Sequence, residues 1–252
     1  MNRPFALALT FLVLLAAPQA SKSQQEDSFS LPSPDTQGAR KLNLWATHYY
    51  LYPATSVSAG GIPFKDANGN ALSDPVSGID WCRAAIEGSV RVPYQGRPRT
   101  LNFAGTFKDQ QINCSKVLSI DPDVKPWITS TGKSYFGPSR GEWGDGVRGY
   151  KLVPFRTIAV DKNYIPYGSV IFVPRLRGLR IQTSTGQDIV HDGFLFAADT
   201  GGDMKENHID VFCGPTMKNC MPTLVKSVSS RGFEAFVIDS PEISSSLRRL
   251  HQ

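Results

Sequence analysis

The stretch from Phe194 to Phe212 restricts this chain more than any other. It opens on the apolar run Phe194-Leu195-Phe196-Ala197-Ala198 and closes on Ile209, Val211 and Phe212, two segments of strand length and β-favouring composition. Each carries one carboxylate, Asp199 and Asp210, where the apolar character breaks. Between them stands Gly201-Gly202, a pair that lets backbone turn tightly or approach a ligand. Two strand-mounted acids beside a glycine-lined loop have the rigidity and the room that acid/base chemistry needs. An isolated Asp-Thr-Gly is also a common turn, in which the carboxylate does no more than accept local backbone N–H groups.

The N-terminal residues 1–20 combine Arg3, a Leu- and Ala-rich run from Phe5 to Ala17, and Pro18-Gln19-Ala20, the pattern of a secretory signal peptide. The run falls short of the roughly 20 apolar residues of a membrane helix. With no cysteine nearby to carry a lipid, the expectation is a periplasmic or otherwise secreted protein without a membrane anchor. Residues 21–41, rich in Ser, Gln, Pro and Asp, are expected to form a disordered lead. What remains suffices for one sizeable domain with an insertion. The 22 Gly and 18 Pro of the full chain point to many turns and little long helix. The net charge of +5 is modest, and no Lys/Arg cluster interleaved with aromatics stands out, so nucleic acid is not an expected partner.

Four cysteines in an exported chain argue for two disulfides. Of the three possible pairings, sequence proximity favours Cys82 with Cys114 and Cys213 with Cys220. A zinc site would call for Cys-x-x-Cys spacing, which is missing. No phosphate loop, haem motif or metal-ligand box is present, so neither cofactor nor metal is expected, and the protein is expected to act as a monomer.

A strand is expected over Leu42–Tyr52, where Thr47 and His48 could face a groove. From 54 to 150 glycines punctuate short runs, which predicts a separate loop-rich lobe holding Cys82 and Cys114, with a short helix at Asp80–Glu87 capped by Asp80. Gly137-Pro138-Ser139-Arg140-Gly141 has the letters of a nucleophile elbow without the strand-turn-helix setting that motif requires. Tyr135, Phe136, Trp143 and Tyr150 would suit a sugar-stacking rim. Beyond 150 the pattern of strand, carboxylate, turn and strand repeats through Phe155–Asp161, Ser169–Pro174, the Asp199/Asp210 stretch and Gly232–Ile238. Many short strands with turns between them suggest a small barrel or sandwich, and the Ser-rich, basic residues 241–252 a flexible tail.

Four segments in order, Arg156-Thr157-Ile158-Ala159-Val160-Asp161, Ile165-Pro166-Tyr167-Gly168, Ala198-Asp199-Thr200-Gly201-Gly202 and Ile209-Asp210-Val211-Phe212, resemble the 3D domain, named for three aspartates and shared with the MltA-like lytic transglycosylases. Trp45-Ala46-Thr47-His48-Tyr49 resembles that family's opening strand. The resemblance implies a mainly β fold: a six-stranded double-psi β-barrel from 42–53 and 151–240, split by the insertion lobe at 54–150. It also implies a lyase acting on peptidoglycan glycan strands, which cleaves the β-1,4 bond between N-acetylmuramic acid and N-acetylglucosamine and leaves a 1,6-anhydromuramic end. Carried over by position, Asp210 would be the catalytic acid/base and Asp199 and Asp161 its supporting carboxylates. Thr47, Thr200, Gly201, Gly202 and Lys205 would form the matching substrate-binding set. Where the family commonly reads Gly-Gly-Ala-Ile-Lys-Gly, this chain has Gly201-Gly202-Asp203-Met204-Lys205-Glu206, which places two further acids beside the site.

The chemistry of such an enzyme asks for one carboxyl group that protonates the glycosidic oxygen and then takes the proton of the muramic C6 hydroxyl. Its pKa must be raised by burial or by a neighbouring like charge. Two other classes remain open. An aspartic protease would need a second Asp-Thr-Gly, and only one is present. A non-catalytic, expansin-like wall-binding barrel would bind glycan and release nothing. A Ser-His-Asp triad is not expected, because none of His48, His191, His208 and His251 has a nucleophile partner in sequence.

Overall fold

The computed structural model describes residues 29–252; the expected signal peptide lies outside the described residues. In chain order the elements are β1 (Arg40–Tyr49), β2 (Tyr52–Pro53), α1 (Gly78–Glu87), β3 (Ser89–Tyr94), β4 (Arg97–Thr106), α2 (Cys114–Leu118), α3 (Ile128–Thr131), β5 (Ser134–Pro138), β6 (Thr157–Val160), β7 (Val170–Phe172), β8 (Arg180–Gln182), β9 (Asp188–Val190), β10 (Phe194–Asp199), β11 (His208–Phe212), β12 (Phe233–Ile238) and α4 (Pro241–Leu250).

Six of these strands close a barrel in the order β1-β11-β6-β10-β7-β12. The β1–β11 and β10–β6 pairs are parallel and the other four antiparallel. Closure leaves no free sheet edge, which short strands such as these would otherwise expose. The barrel interior is filled by Leu44, Ala46, Ile158, Val160, Ile171, Leu195, Ala197, Ile209, Val211 and Ala235. Burying each of the larger side chains is worth about 1.5–3 kcal/mol, so this interior supplies much of the drive for closure.

The segment between β1 and β6 forms a second body around a four-stranded sheet in the order β2-β3-β4-β5. Its core holds Phe64, Trp81 and Phe136, with Phe64 stacked on Trp81 and edge-on to Phe136. The Cys82–Cys114 disulfide ties α1 to α2, and Cys213–Cys220 closes the loop directly after β11. The helix expected from Asp80 begins earlier: Ser77 is the cap, its side chain accepting the Asp80 N–H. Ser-x-x-Asp is itself a helix-start pattern, so Asp80 is the acid of the first turn, not the cap. Gly88, at φ 79°, ends α1 immediately after Glu87, a left-handed position that glycine adopts without strain.

Both chain ends depart from expectation. The lead is packed from Phe29 onward: Phe29 joins the barrel core, Leu31 donates its N–H to Asp192, and β1 begins at Arg40. The tail is α4, capped by Ser240 with Pro241 in its first turn, and it buries Ile243 and Leu247 on the barrel. The chain between 181 and 190, which reads as a polar connection, forms the β8–β9 hairpin.

Candidate active site

Strand register assembles the site. Asp210 stands opposite Thr47 on β1 and opposite Ala159 on β6, and Asp199 on β10 also stands opposite Ala159. Residues directly opposed across strands project from the same face. Thr47, Asp210, Ala159 and Asp199 therefore form one row across four neighbouring strands. Ile158, Val160, Ile209 and Val211, their neighbours along the strands, point into the barrel core, so the row lies on the outer face. With about 4.8 Å per strand, the Cα atoms of Asp199 and Asp210 are roughly 10 Å apart, and the small Ala159 leaves the space between them open.

Asp199 reaches this row through a β-bulge. Pairing of β10 with β6 runs Ala197 to Ile158 and then skips to Asp199 with Ala159, so Ala198 is the extra residue. Without it, strict alternation would turn Asp199 toward the barrel interior. Gly146, in the return from the lobe, packs on this bulge so closely that a Cβ would lie 2.1 Å from the Ala198 carbonyl oxygen.

Each acid has one hydroxyl partner. Thr47 Oγ1 donates to Asp210 Oδ1 at 2.9 Å, and Tyr49 Oη donates to Asp199 Oδ2 at 2.7 Å. Asp199 Oδ1 also accepts the Thr200 N–H at 2.8 Å. Among the described residues no Lys or Arg forms an ion pair with either carboxylate. Burial, reinforced by the charge of Asp199, pushes the Asp210 carboxyl up to about 7 against the opposing Thr47 hydrogen bond. Burial likewise raises Asp199 to about 6, opposed by Tyr49 and Thr200.

A third carboxyl group, absent from the sequence motifs, comes from the lobe. Glu87, the last residue of α1, accepts the Tyr50 N–H at 3.0 Å just beyond the end of β1. Burial, with a further contribution from the Asp210 charge, raises it to about 8. The Tyr49 phenol lies within electrostatic reach of Asp199, Asp210 and Glu87, and burial together with these three charges pushes it well above its ordinary value. The three acids thus surround one tyrosine where barrel and lobe meet. Trp143 and Met204, both half-buried, pack on the adjoining apolar patch of Tyr49, Leu51, Leu152, Ala159 and Phe212.

The remaining expected site residues fall into place unevenly. Asp161 does not share the hydrogen bonds of the cluster: its carboxylate accepts the N–H groups of Asn163 and Glu206, which hold it below its ordinary value. A carboxylate so held braces a turn and stays ionised, which argues against a share in proton transfer. Thr200, Gly201, Gly202 and Lys205 are exposed on the loop beside Asp199. Neither glycine has a positive φ; the left-handed residue of that loop is Glu206, at φ 51°. His48 alternates away from Thr47, toward the Met217 backbone, and burial lowers its pKa. Of the four aromatics that could rim a glycan, Phe136 belongs to the lobe core, Tyr135 packs on Phe107 of the lobe and Tyr150 belongs to the contact with α4, which leaves Trp143 beside the acids. A concavity of about 510 Å³ lined by Tyr94, Gln95, Arg97, Pro98 and Arg99 lies at the β3–β4 hairpin, not at the carboxyl cluster.

Two histidines meet a hydroxyl: His251 Nε2 is 3.1 Å from the buried Thr157 Oγ1, and the other contact is at the acid row. His208 Nε2 is 2.8 Å from Thr47 Oγ1. The aspartate bonds the hydroxyl instead of the imidazole, so the order of a nucleophilic triad is not reproduced. Among the described residues no group of three or more His, Cys, Asp or Glu is placed to hold a metal ion.

Within the split, closed six-stranded barrel and its outer row of acids, residues 156–221 match the family model of the 3D domain. Asp161, Asp199 and Asp210 all fall within the matched residues. A search of curated proteins by sequence found no match. Among solved structures the chain is similar to Escherichia coli MltA with bound chitohexaose (16% identity, 79% of this chain and 72% of that one, TM-score 0.47). It is also similar to a membrane-bound lytic murein transglycosylase from Agrobacterium tumefaciens (12%, 83% and 78%, TM-score 0.48) and to the lytic transglycosylase LtgG of Burkholderia pseudomallei (18%, 78% and 70%, TM-score 0.37).

No helix among the described residues is long and apolar enough to cross a membrane.

Proposed function

We propose that the protein is an exported peptidoglycan lytic transglycosylase in which Asp210 is the acid and then the base. The carrying observation is a half-buried carboxyl on the outer face of the barrel whose residues match the 3D domain, held up to about 7 with a hydroxyl as its partner and, among the described residues, no cation paired with it. Near neutrality such a group still keeps its proton and can give it to the glycosidic oxygen as the C–O bond breaks. The resulting Asp210 carboxylate accepts the proton of the muramic C6 hydroxyl while that oxygen closes on its own anomeric carbon. The proton count balances, Asp210 regains its acid form, and no water enters the products.

Asp199, titrating lower, is the ionised neighbour. Its negative charge stabilises the positive charge that develops at the anomeric carbon and keeps Asp210 protonated. Glu87 faces the same space from the lobe and, with the highest value of the three, stays neutral while Asp210 cycles. The staggered values belong to a coupled set, so a pH profile reports the set and not single residues.

Digestion of purified sacculi, with mass analysis of the soluble fragments, tests the proposal. Anhydromuramic ends from the wild type and none from Asp210→Asn are expected. Reducing ends would show hydrolysis instead, and binding to sacculi without any soluble product would favour a non-catalytic wall-binding barrel.

A further inference from the structure

Thr47 connects Asp210 to a second group. Its Oγ1 lies 2.9 Å from Asp210 Oδ1 and 2.8 Å from His208 Nε2. A threonine hydroxyl owns one hydrogen. If that hydrogen is given to Asp210, the other contact must be filled by an N–H of the imidazole. The hydrogen-bond chain then runs in one direction, from His208 to Thr47 to Asp210. In the reverse direction Thr47 would donate to a bare Nε2, and Asp210 would have to spend its acid proton on the Thr47 oxygen, out of reach of a substrate.

The surroundings of His208 suit it to hold one direction. The ring is buried and stacked face to face on Trp45, with centroids 3.7 Å apart and planes within 4°. Burial lowers its pKa, opposed by the backbone carbonyl and the carboxylate of Asp203. Asp203 is one of the two acids by which this chain departs from the commoner loop pattern, and it lies next to the imidazole. The other groups acting on the chain are Asp199 from β10, whose charge raises Asp210, and Glu87 from α1, which is itself raised by Asp210. Among the described residues neither Asp210 nor Asp203 forms an ion pair with Lys, Arg or His.

We propose that His208 is a positioning residue for Asp210: acting through Thr47, it holds Oδ1 as an acceptor, so that the acid proton resides on Oδ2 and is free to be transferred. This rests on the reading of Asp210 as the shuttling acid. No proton travels along the chain during turnover. The proton leaves Oδ2 for the glycosidic oxygen and returns to Oδ2 from the C6 hydroxyl, while Thr47 donates to Oδ1 throughout.

Four single variants, one double variant and one spectrum test it. His208→Phe keeps the face that stacks on Trp45 and removes both ring nitrogens; Thr47→Val removes the hydroxyl at nearly constant shape. Each should lower kcat about tenfold with KM nearly unchanged, the size expected for one hydrogen bond to a charged group. Thr47→Ser and His208→Gln, which restore a donor, should recover most of the loss. Both disruptive variants should move the alkaline limb of kcat upward, because removing a donor from a carboxylate favours its protonated form. The Thr47→Val/His208→Phe double variant should be no slower than the worse single one, since both break the same chain. Ring nitrogen-15 shifts of His208 in the wild type should show a proton on Nε2.

Losses that multiply in the double variant, an unchanged kcat in His208→Phe, or a bare Nε2 would overturn the inference. A wild type that releases no anhydro ends would remove the proposed function instead, and the nitrogen-15 spectrum would still decide the direction of the chain.

Discussion

Asp192 and Asp210 are carboxylates of one barrel in opposite circumstances. Asp192 meets Arg156, a fully buried guanidinium, through two parallel bonds of 2.5 and 2.7 Å, and it also accepts the N–H groups of Leu31 and Phe194. Phe29 lies over the same guanidinium at 4.1 Å. Burial alone would raise Asp192, but the hydrogen bonds and charge of Arg156 outweigh it and hold the carboxyl below its ordinary value. Asp210 is buried toward a hydroxyl and two other acids, and it is raised to about 7. Burial therefore does not by itself decide whether a carboxyl group is structural or reactive. The partner decides: a matched cation fixes the charge for good, whereas a single hydroxyl leaves the proton available to move.

The largest expected effect breaks this contrast from the reactive side. Asp210→Asn should lower anhydro-end release by a factor of about 10²–10⁴, the usual worth of a general acid/base, with glycan binding retained. From the structural side, Arg156→Met should cost about 3–5 kcal/mol of stability by leaving Asp192 buried and uncompensated, read as a fall in the denaturation midpoint. The molecules that remain folded should keep their specific activity.

A smaller effect concerns pH and stability together. Asp210 is raised in the fold, so the native state binds the extra proton between the unfolded value and about 7, and stability falls as pH rises through that window. Asp210→Asn should accordingly raise Tm at pH 8, at roughly 2–4 °C per kcal/mol for a chain of this size, with no gain at pH 4. Asp192 has the opposite sign, its contribution being present above the unfolded value and lost as pH falls from there through its depressed folded value.

Activity should be bell-shaped, with limbs near about 6 and about 7 for the coupled Asp199 and Asp210. Tyr49→Phe removes a donor from Asp199 and should move the acid limb upward. Glu87→Lys places a cation near Asp210 and should lower the alkaline limb by about one unit, whereas Glu87→Gln should leave it nearly in place. Asp161→Asn should change the pH profile least, since its carboxylate serves the backbone of Asn163 and Glu206.

Asp210 was legible because a carboxylate inside an apolar strand is costly to bury, and here it stands within an ordered set of motifs. Asp199 was legible as a residue but not in its direction, since that depends on the bulge at Ala198, and an extra residue in an apolar run leaves no mark in composition. Glu87 was illegible: at a helix end far from the barrel motifs it reads as a solvated charge, and only the tertiary approach of α1 to β1 brings it to Tyr50. His208 could have been found from its two-residue spacing to Asp210, which puts both on β11 with side chains on one face. The signal for α4 was also present in Ser240-Pro241-Glu242 and in the spacing of Ile243 and Leu247, and its serines obscured it.

The most direct measurement is a carbon-13 titration of the aspartate side-chain carboxyls of the intact protein, in which Asp192 and Asp210 are followed in one sample. Asp210 is expected to lose its proton near pH 7, with Asp192 already ionised below the ordinary range. A midpoint near 4 for Asp210 would contradict its role as the acid, because a group ionised there has no proton to give a glycosidic oxygen at neutral pH.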